Sequence, residues 1–290
     1  MIRPAAPRHH RRLGLLAPLA GLLVACSTTV SSAPPDTTEP TTTVEDTTTT
    51  ESTTTTVAES TTTAVIVPTT LALTVESAPV GAGIVPVGKH SGPDTAVVQR
   101  RLTELGFWVG DADGKYGFAT TQAVMAFQKY AGLSASGKVD DATAFWLQAY
   151  QEKAHGTAPY GTMVEVDKKR QLLFIIVDGR TVWTFNTSTG SGKPYTAVNH
   201  NDPSQIESGD AVTPNGLWKV ERERPDGWWE GDLGRIYRPK YFRGGVAIHG
   251  MTKVPNYPAS HGCVRVSVPA MDFIWASGLV PVGTPVWVHE

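Results

Sequence analysis

Two abrupt shifts in composition divide this 290-residue chain and predict a multidomain fold. It consists of a disordered N-terminal stalk, a small all-α module of three helices, and a mostly-β sandwich with one or two helices. The first shift, near residue 90, runs from a threonine-dominated stretch to segments whose apolar residues recur at helical spacing. The second, near residue 160, runs from helical spacing to short alternating runs separated by hairpin signals. A net charge of −2 offers no basic surface, so nucleic acid is not an expected partner.

Residues 1–25 carry Arg3, Arg8, Arg11 and Arg12 ahead of an apolar run from Leu13 to Val24, the layout of a secretory signal and too short for a membrane span. Leu23-Val24-Ala25-Cys26 resembles a bacterial lipobox, which implies lipidation of Cys26 and an extracytoplasmic, membrane-anchored protein. From residue 26 to about 90 a Thr-rich linker has too little apolar surface to offset its ordering entropy, and its threonines are candidates for O-glycosylation. As a flexible coil, its roughly 50 residues from Ser27 to about Thr74 would reach about 40 Å.

Residues 91–151 form the helical module. Asp94 is the expected N-cap of a first helix with Val98, Leu102 and Leu105 inward, ended by Gly106. A second helix fits Thr120–Tyr130, with Val124 and Phe127 inward and Gly132 at its end. Asp140 caps a third that buries Phe145 and either Leu147 or Trp146. About 60 residues are enough for such a module to fold alone. Asp111, Asp113 and Gly114 lack the remaining ligands of a calcium loop and read as a turn.

Residues 161–290 follow strand logic. Thr162–Val166 alternates, Leu172–Val177 is a buried run, Asp178-Gly179 signals a hairpin, and Val182–Thr187 returns. Further strands are expected at Gly216–Glu221, around Trp228-Trp229, at Arg235–Tyr237, at Val246–His249 and at Thr284–His289, with a helix over Pro269–Ser277.

Chemistry concentrates between His249 and Arg265. Cys263 is the one cysteine outside the N-terminal segment, two residues after His261 and directly after Gly262. A thiol of ordinary pKa is only a few per cent thiolate at neutral pH, so a nucleophilic cysteine needs an imidazole or oriented amides beside it. Val246–His249 delivers a second histidine, and Gly262 permits close backbone approach to a ligand. His261 and Cys263 lack a third metal ligand at motif spacing, so no metal and no cofactor are expected.

His249-Gly250, a spacer with Pro255 and Pro258, then Ser260-His261-Gly262-Cys263-Val264-Arg265, resemble the active-site signature of L,D-transpeptidases with a YkuD-type catalytic domain. The resemblance runs from about Gly161 to the C-terminus and includes the turns Ser188-Thr189-Gly190 and Thr213-Pro214-Asn215-Gly216. In the helical module, Gln99…Leu102…Leu105-Gly106, Asp113-Gly114-Lys115-Tyr116-Gly117 and Thr120…Gly132-Leu133…Val139-Asp140 resemble a peptidoglycan-binding domain.

These resemblances imply a cysteine-dependent acyltransferase that cross-links peptidoglycan stem peptides, with the glycan–peptide mesh as partner and no partner chain. Cys263 is the nucleophile and His249 the base, oriented by the Gly250 carbonyl. His261 shapes the site, and the Gly262 and Cys263 amides face the oxyanion. Arg265 stands where the best-known branch has asparagine, and it either clamps a substrate carboxylate or holds a loop. Ser260, Tyr241 and Tyr257, with Trp228 and Trp229, are candidates for the substrate cleft. An L,D-carboxypeptidase, in which water replaces the acceptor amine, and a non-catalytic wall-anchoring lipoprotein are the alternatives.

Overall fold

The computed structural model describes residues 73–290; the signal segment, Cys26 and the Thr-rich stretch up to residue 72 lie outside the described residues. The helical module is built from α1 (Pro93–Glu104), α2 (Phe118–Tyr130) and α3 (Asp141–Ala149). α1 starts one residue before Asp94: Gly92 is its N-cap and Pro93, with φ preset and no N–H to leave unpaired, occupies the first turn. Asp94 sits within that turn, favourably placed against the positive end of the helix. Asp140 caps α3 by accepting from the Thr143 N–H at 2.9 Å.

α3 buries Thr143, Ala144 and Leu147, whereas Phe145 is 63% exposed and Trp146 41%. The expected burial of Phe145 is therefore corrected. The nine-residue helix has one inward face, and Phe145 and Trp146 pack edge to face on its solvent side at 5.4 Å.

The strand-rich half contains β1 (Met163–Asp167), β2 (Leu172–Val177), β3 (Arg180–Asn186), β4 (Pro194–Val198), β5 (Ile206–Asp210) and β6 (Gly216–Lys219). It continues with β7 (Arg222–Glu223), β8 (Trp228–Gly231), β9 (Gly234–Arg243), β10 (Val246–Met251), β11 (Val264–Ser267), α4 (Val268–Ala276) and β12 (Pro285–His289). One sheet has the order β3-β2-β1-β12-β6 and the other β11-β10-β9-β7, with β8 also on β9. β4 and β5 form a separate hairpin.

The facing sides of the sheets, with Met271 and Ile274 of α4, share one core that includes Val164, Leu173, Ile175, Phe242, Ile248, Val264 and Val288. This is a sandwich, and the two-residue period of β2 explains its continuous apolar run. Leu173 and Ile175 face this core, while Leu172, Phe174 and Ile176 face outward into the core of the helical module. The module therefore does not close its own core, contrary to its expected independence. Its three short helices have too little surface of their own, and the outer face of the sheet completes the burial. Residues 76–90, expected as linker, also lie on the module: Ala78 N–H donates to Gln151 O at 2.7 Å, and Gly88 and Val139 exchange bonds of 2.8 and 2.9 Å.

Candidate active site

The site is built on the parallel pair β10–β11. Ile248 stands opposite Val264, and both enter the core; His249 stands opposite Arg265. With side chains alternating along a strand, Cys263, two residues before Arg265, lies on the same face as Arg265 and His249. All three line a cleft of about 620 Å³ together with Tyr195, His261 and Tyr241.

His249 is buried, and its Nδ1 lies 3.0 Å from the Gly250 carbonyl. A carbonyl can only accept, so Nδ1 carries the hydrogen and Nε2 is left as the basic nitrogen. Burial pulls the imidazole down to about 4; the Gly250 bond opposes this and the Arg265 charge adds to it. Burial pushes the half-buried Cys263 thiol up, offset in part by the Ala247 amide and by Arg265. Both shifts favour the uncharged forms, thiol on Cys263 and neutral imidazole on His249.

The loop before Cys263 is internally braced. Ser260 Oγ donates to the Cys263 carbonyl at 2.6 Å and accepts from the Gly262 N–H at 3.0 Å. The Gly262 amide, expected to face an oxyanion, is engaged in this structure by the Ser260 hydroxyl. What Gly262 contributes is backbone: its φ is +141°, and a Cβ there would stand 3.1 Å from the Val212 carbonyl. Ser260, expected to meet substrate, is among the residues lining the cleft, is 2% exposed and forms this brace.

Arg265 Nη1 donates to the Ala259 carbonyl at 3.2 Å, while its buried Nε has no partner among the described residues. Tyr241 reaches the cleft with the Arg222 guanidinium 3.6 Å above its ring. Tyr257 is 58% exposed, and neither it nor the Trp228–Trp229 pair lines the cleft. Tyr257 contributes its carbonyl instead, which accepts from Ser188 Oγ at 2.8 Å.

Two contributors escaped the sequence reading. Tyr195, on β4, packs against the His261 ring at 4.8 Å. Thr213 Oγ1 donates to the Gly262 carbonyl at 2.6 Å and accepts from the Gly190 N–H at 2.8 Å, tying both glycine-bearing turns to the loop before Cys263. The Thr-Pro-Asn-Gly turn was visible as a motif, but its side-chain partner was not.

Residues 161–288 match the L,D-transpeptidase catalytic domain and residues 91–147 the peptidoglycan binding domain. The crystal structure of an L,D-transpeptidase from Xylanimonas cellulosilytica is 42% identical, covering 72% of this chain and 98% of that one with a TM-score of 0.63. The chain belongs to the L,D-transpeptidase family. An L,D-transpeptidase from Stackebrandtia nassauensis is 21% identical over 71% of this chain and 97% of its own, with a TM-score of 0.40. An N-acetylmuramoyl-L-alanine amidase of Mycobacterium tuberculosis is 35% identical over 74 residues, and the chain spans 18% of that protein's length. In this family setting the helical module is a peptidoglycan-binding domain and the sandwich an L,D-transpeptidase domain, which makes the protein a wall-associated, extracytoplasmic enzyme of peptidoglycan.

Proposed function

We propose that this L,D-transpeptidase forms peptidoglycan cross-links through a thioester on Cys263. His249 Nε2 takes the thiol proton as sulfur attacks the carbonyl of an L-centred stem-peptide residue. The tetrahedral intermediate collapses with release of the terminal D-amino acid, whose amine takes the proton back from His249. An amine of a second stem peptide then attacks the thioester, and the thiol returns. Covalent catalysis divides one difficult step into two, and a positioned base contributes about 10²–10⁴-fold.

The observation that carries this reading is the β10–β11 register, which puts a neutral imidazole with its Nδ1 hydrogen committed on the same cleft face as the thiol. With the Gly262 amide engaged, the Cys263 N–H is the remaining backbone donor at the nucleophile for the developing oxyanion. Arg265, half free of partners, suits a substrate carboxylate. Lipidated Cys26 and the Thr-rich stalk would hold the enzyme near the membrane and within reach of the wall.

The test is incubation of the full chain carrying Cys26→Ser with a disaccharide-tetrapeptide, read by mass spectrometry. Cross-linked dimer with released D-amino acid is expected, and Cys263→Ala should abolish it. Tripeptide alone would replace this reading with hydrolysis, and product formation by Cys263→Ala would end it.

A further inference from the structure

The peptidoglycan-binding helices touch the backbone segments that hold the nucleophile. Gln122 of α2, only 6% exposed, bridges two of them: its Oε1 accepts from Asn186 Nδ2 at 2.6 Å and its Nε2 donates to the Val254 carbonyl at 3.1 Å. Val254 is buried in the loop that joins β10 to Cys263. Two residues on, Asn256 Nδ2 donates to the Ala135 carbonyl of the helical module at 2.8 Å, so the loop is pinned to the module twice.

Lys129, on the same helix, donates from Nζ to the Gln171 carbonyl at 3.1 Å and to the Thr187 carbonyl at 3.2 Å. The segment it grips splints the active site. Thr187 Oγ1 donates to the Arg265 carbonyl at 2.7 Å, and Ser188 and Arg265 exchange backbone bonds of 3.2 and 3.1 Å. The Thr189 carbonyl accepts from the Ala259 and Ser260 amides, each at 2.9 Å.

We propose that the peptidoglycan-binding module is also a structural part of the active site, with Gln122 and Lys129 as positioning residues that fix the loop and splint on either side of Cys263. The proposal rests on Cys263 being the nucleophile. Its physical basis is that attack geometry is steep in distance: a displacement of about 1 Å can cost about 100-fold in rate. Engagement of the wall by the helices is thereby mechanically joined to the reacting sulfur.

Gln128 supplies the control. It is also a buried glutamine of α2, but its partners are Ser136, Gly137, Lys138 and Thr143, all within the helical module. In the full chain carrying Cys26→Ser, Gln122→Ala and Lys129→Met should each lower kcat on the disaccharide-tetrapeptide about ten-fold or more, with KM within about two-fold. They should also speed hydrogen exchange at the amides of residues 252–266. Gln128→Ala should lower the melting temperature while leaving both readings near those of the parent. If Gln122→Ala does not fold, Asn256→Ala, which loses one surface bond, should accelerate the same amides.

Unchanged exchange and kcat in Gln122→Ala and Lys129→Met would overturn the proposal, as would an equal fall in kcat for Gln128→Ala. The exchange reading needs no turnover, so an inactive parent would count against the transpeptidase reading while the coupling was still measured.

Discussion

The surroundings of Cys263 and His249 favour their uncharged forms, and this has measurable consequences. Because burial raises the thiol, its alkylation by iodoacetamide should climb steadily between about pH 7 and pH 9, with no plateau of the kind a preformed ion pair gives near about pH 6. Arg265 lowers both groups, so Arg265→Gln should move that rise to higher pH. His249 affects stability as well. Its folded value of about 4 lies below the unfolded value of 6.5, so between those limits the unfolded chain binds more protons. The contribution is complete above about pH 6.5 and falls as pH drops toward 4, the loss reaching roughly 2–3 kcal/mol by about pH 4.5. Urea unfolding at about pH 7.5 and pH 4.5 should show a loss smaller by roughly that amount in His249→Gln than in the parent.

At the scale of elements, the turns that flank the cleft hold the site as firmly as its strands do. Thr213→Val would leave the buried Gly262 carbonyl and Gly190 amide without their shared partner, a cost of about 1–3 kcal/mol for each group. A fall of several degrees in melting temperature and a lower turnover are the expected outcomes. The long apolar and alternating runs, β2 above all, were legible in the sequence, as were α4 and the order His249, His261, Gly262, Cys263. The β4–β5 hairpin was not: Pro194–Val198 and Ile206–Asp210 are half exposed and carry no apolar face that periodicity could detect. Tyr195 went unseen with it. Tyr257 lies 58% exposed outside the lining of the cleft, with its carbonyl bonded to Ser188, and an aromatic in a motif-bearing loop gives no sign in the sequence of where its ring points.

Across the whole molecule, the apolar run of β2 carried more information than a strand assignment draws from it. A strand buried on both faces needs a second layer, and the helical module is that layer. Cutting the chain after Tyr150 should expose Leu172, Phe174 and Ile176, each worth about 1.5–3 kcal/mol when buried. The 151–290 fragment should therefore scatter light and melt well below the intact chain. A fragment that melts like the parent would show the two cores to be independent.

Lys129 gives this arrangement a built-in reporter. Burial lowers its ammonium to about 7, so at mildly alkaline pH the amine is unprotonated and chemically competent, yet it is clasped by two carbonyls. An amine-directed acylating label should reach it only as fast as the helices lift from the sandwich, and the mass of one tryptic peptide would then time that opening while the enzyme sits on its polymer.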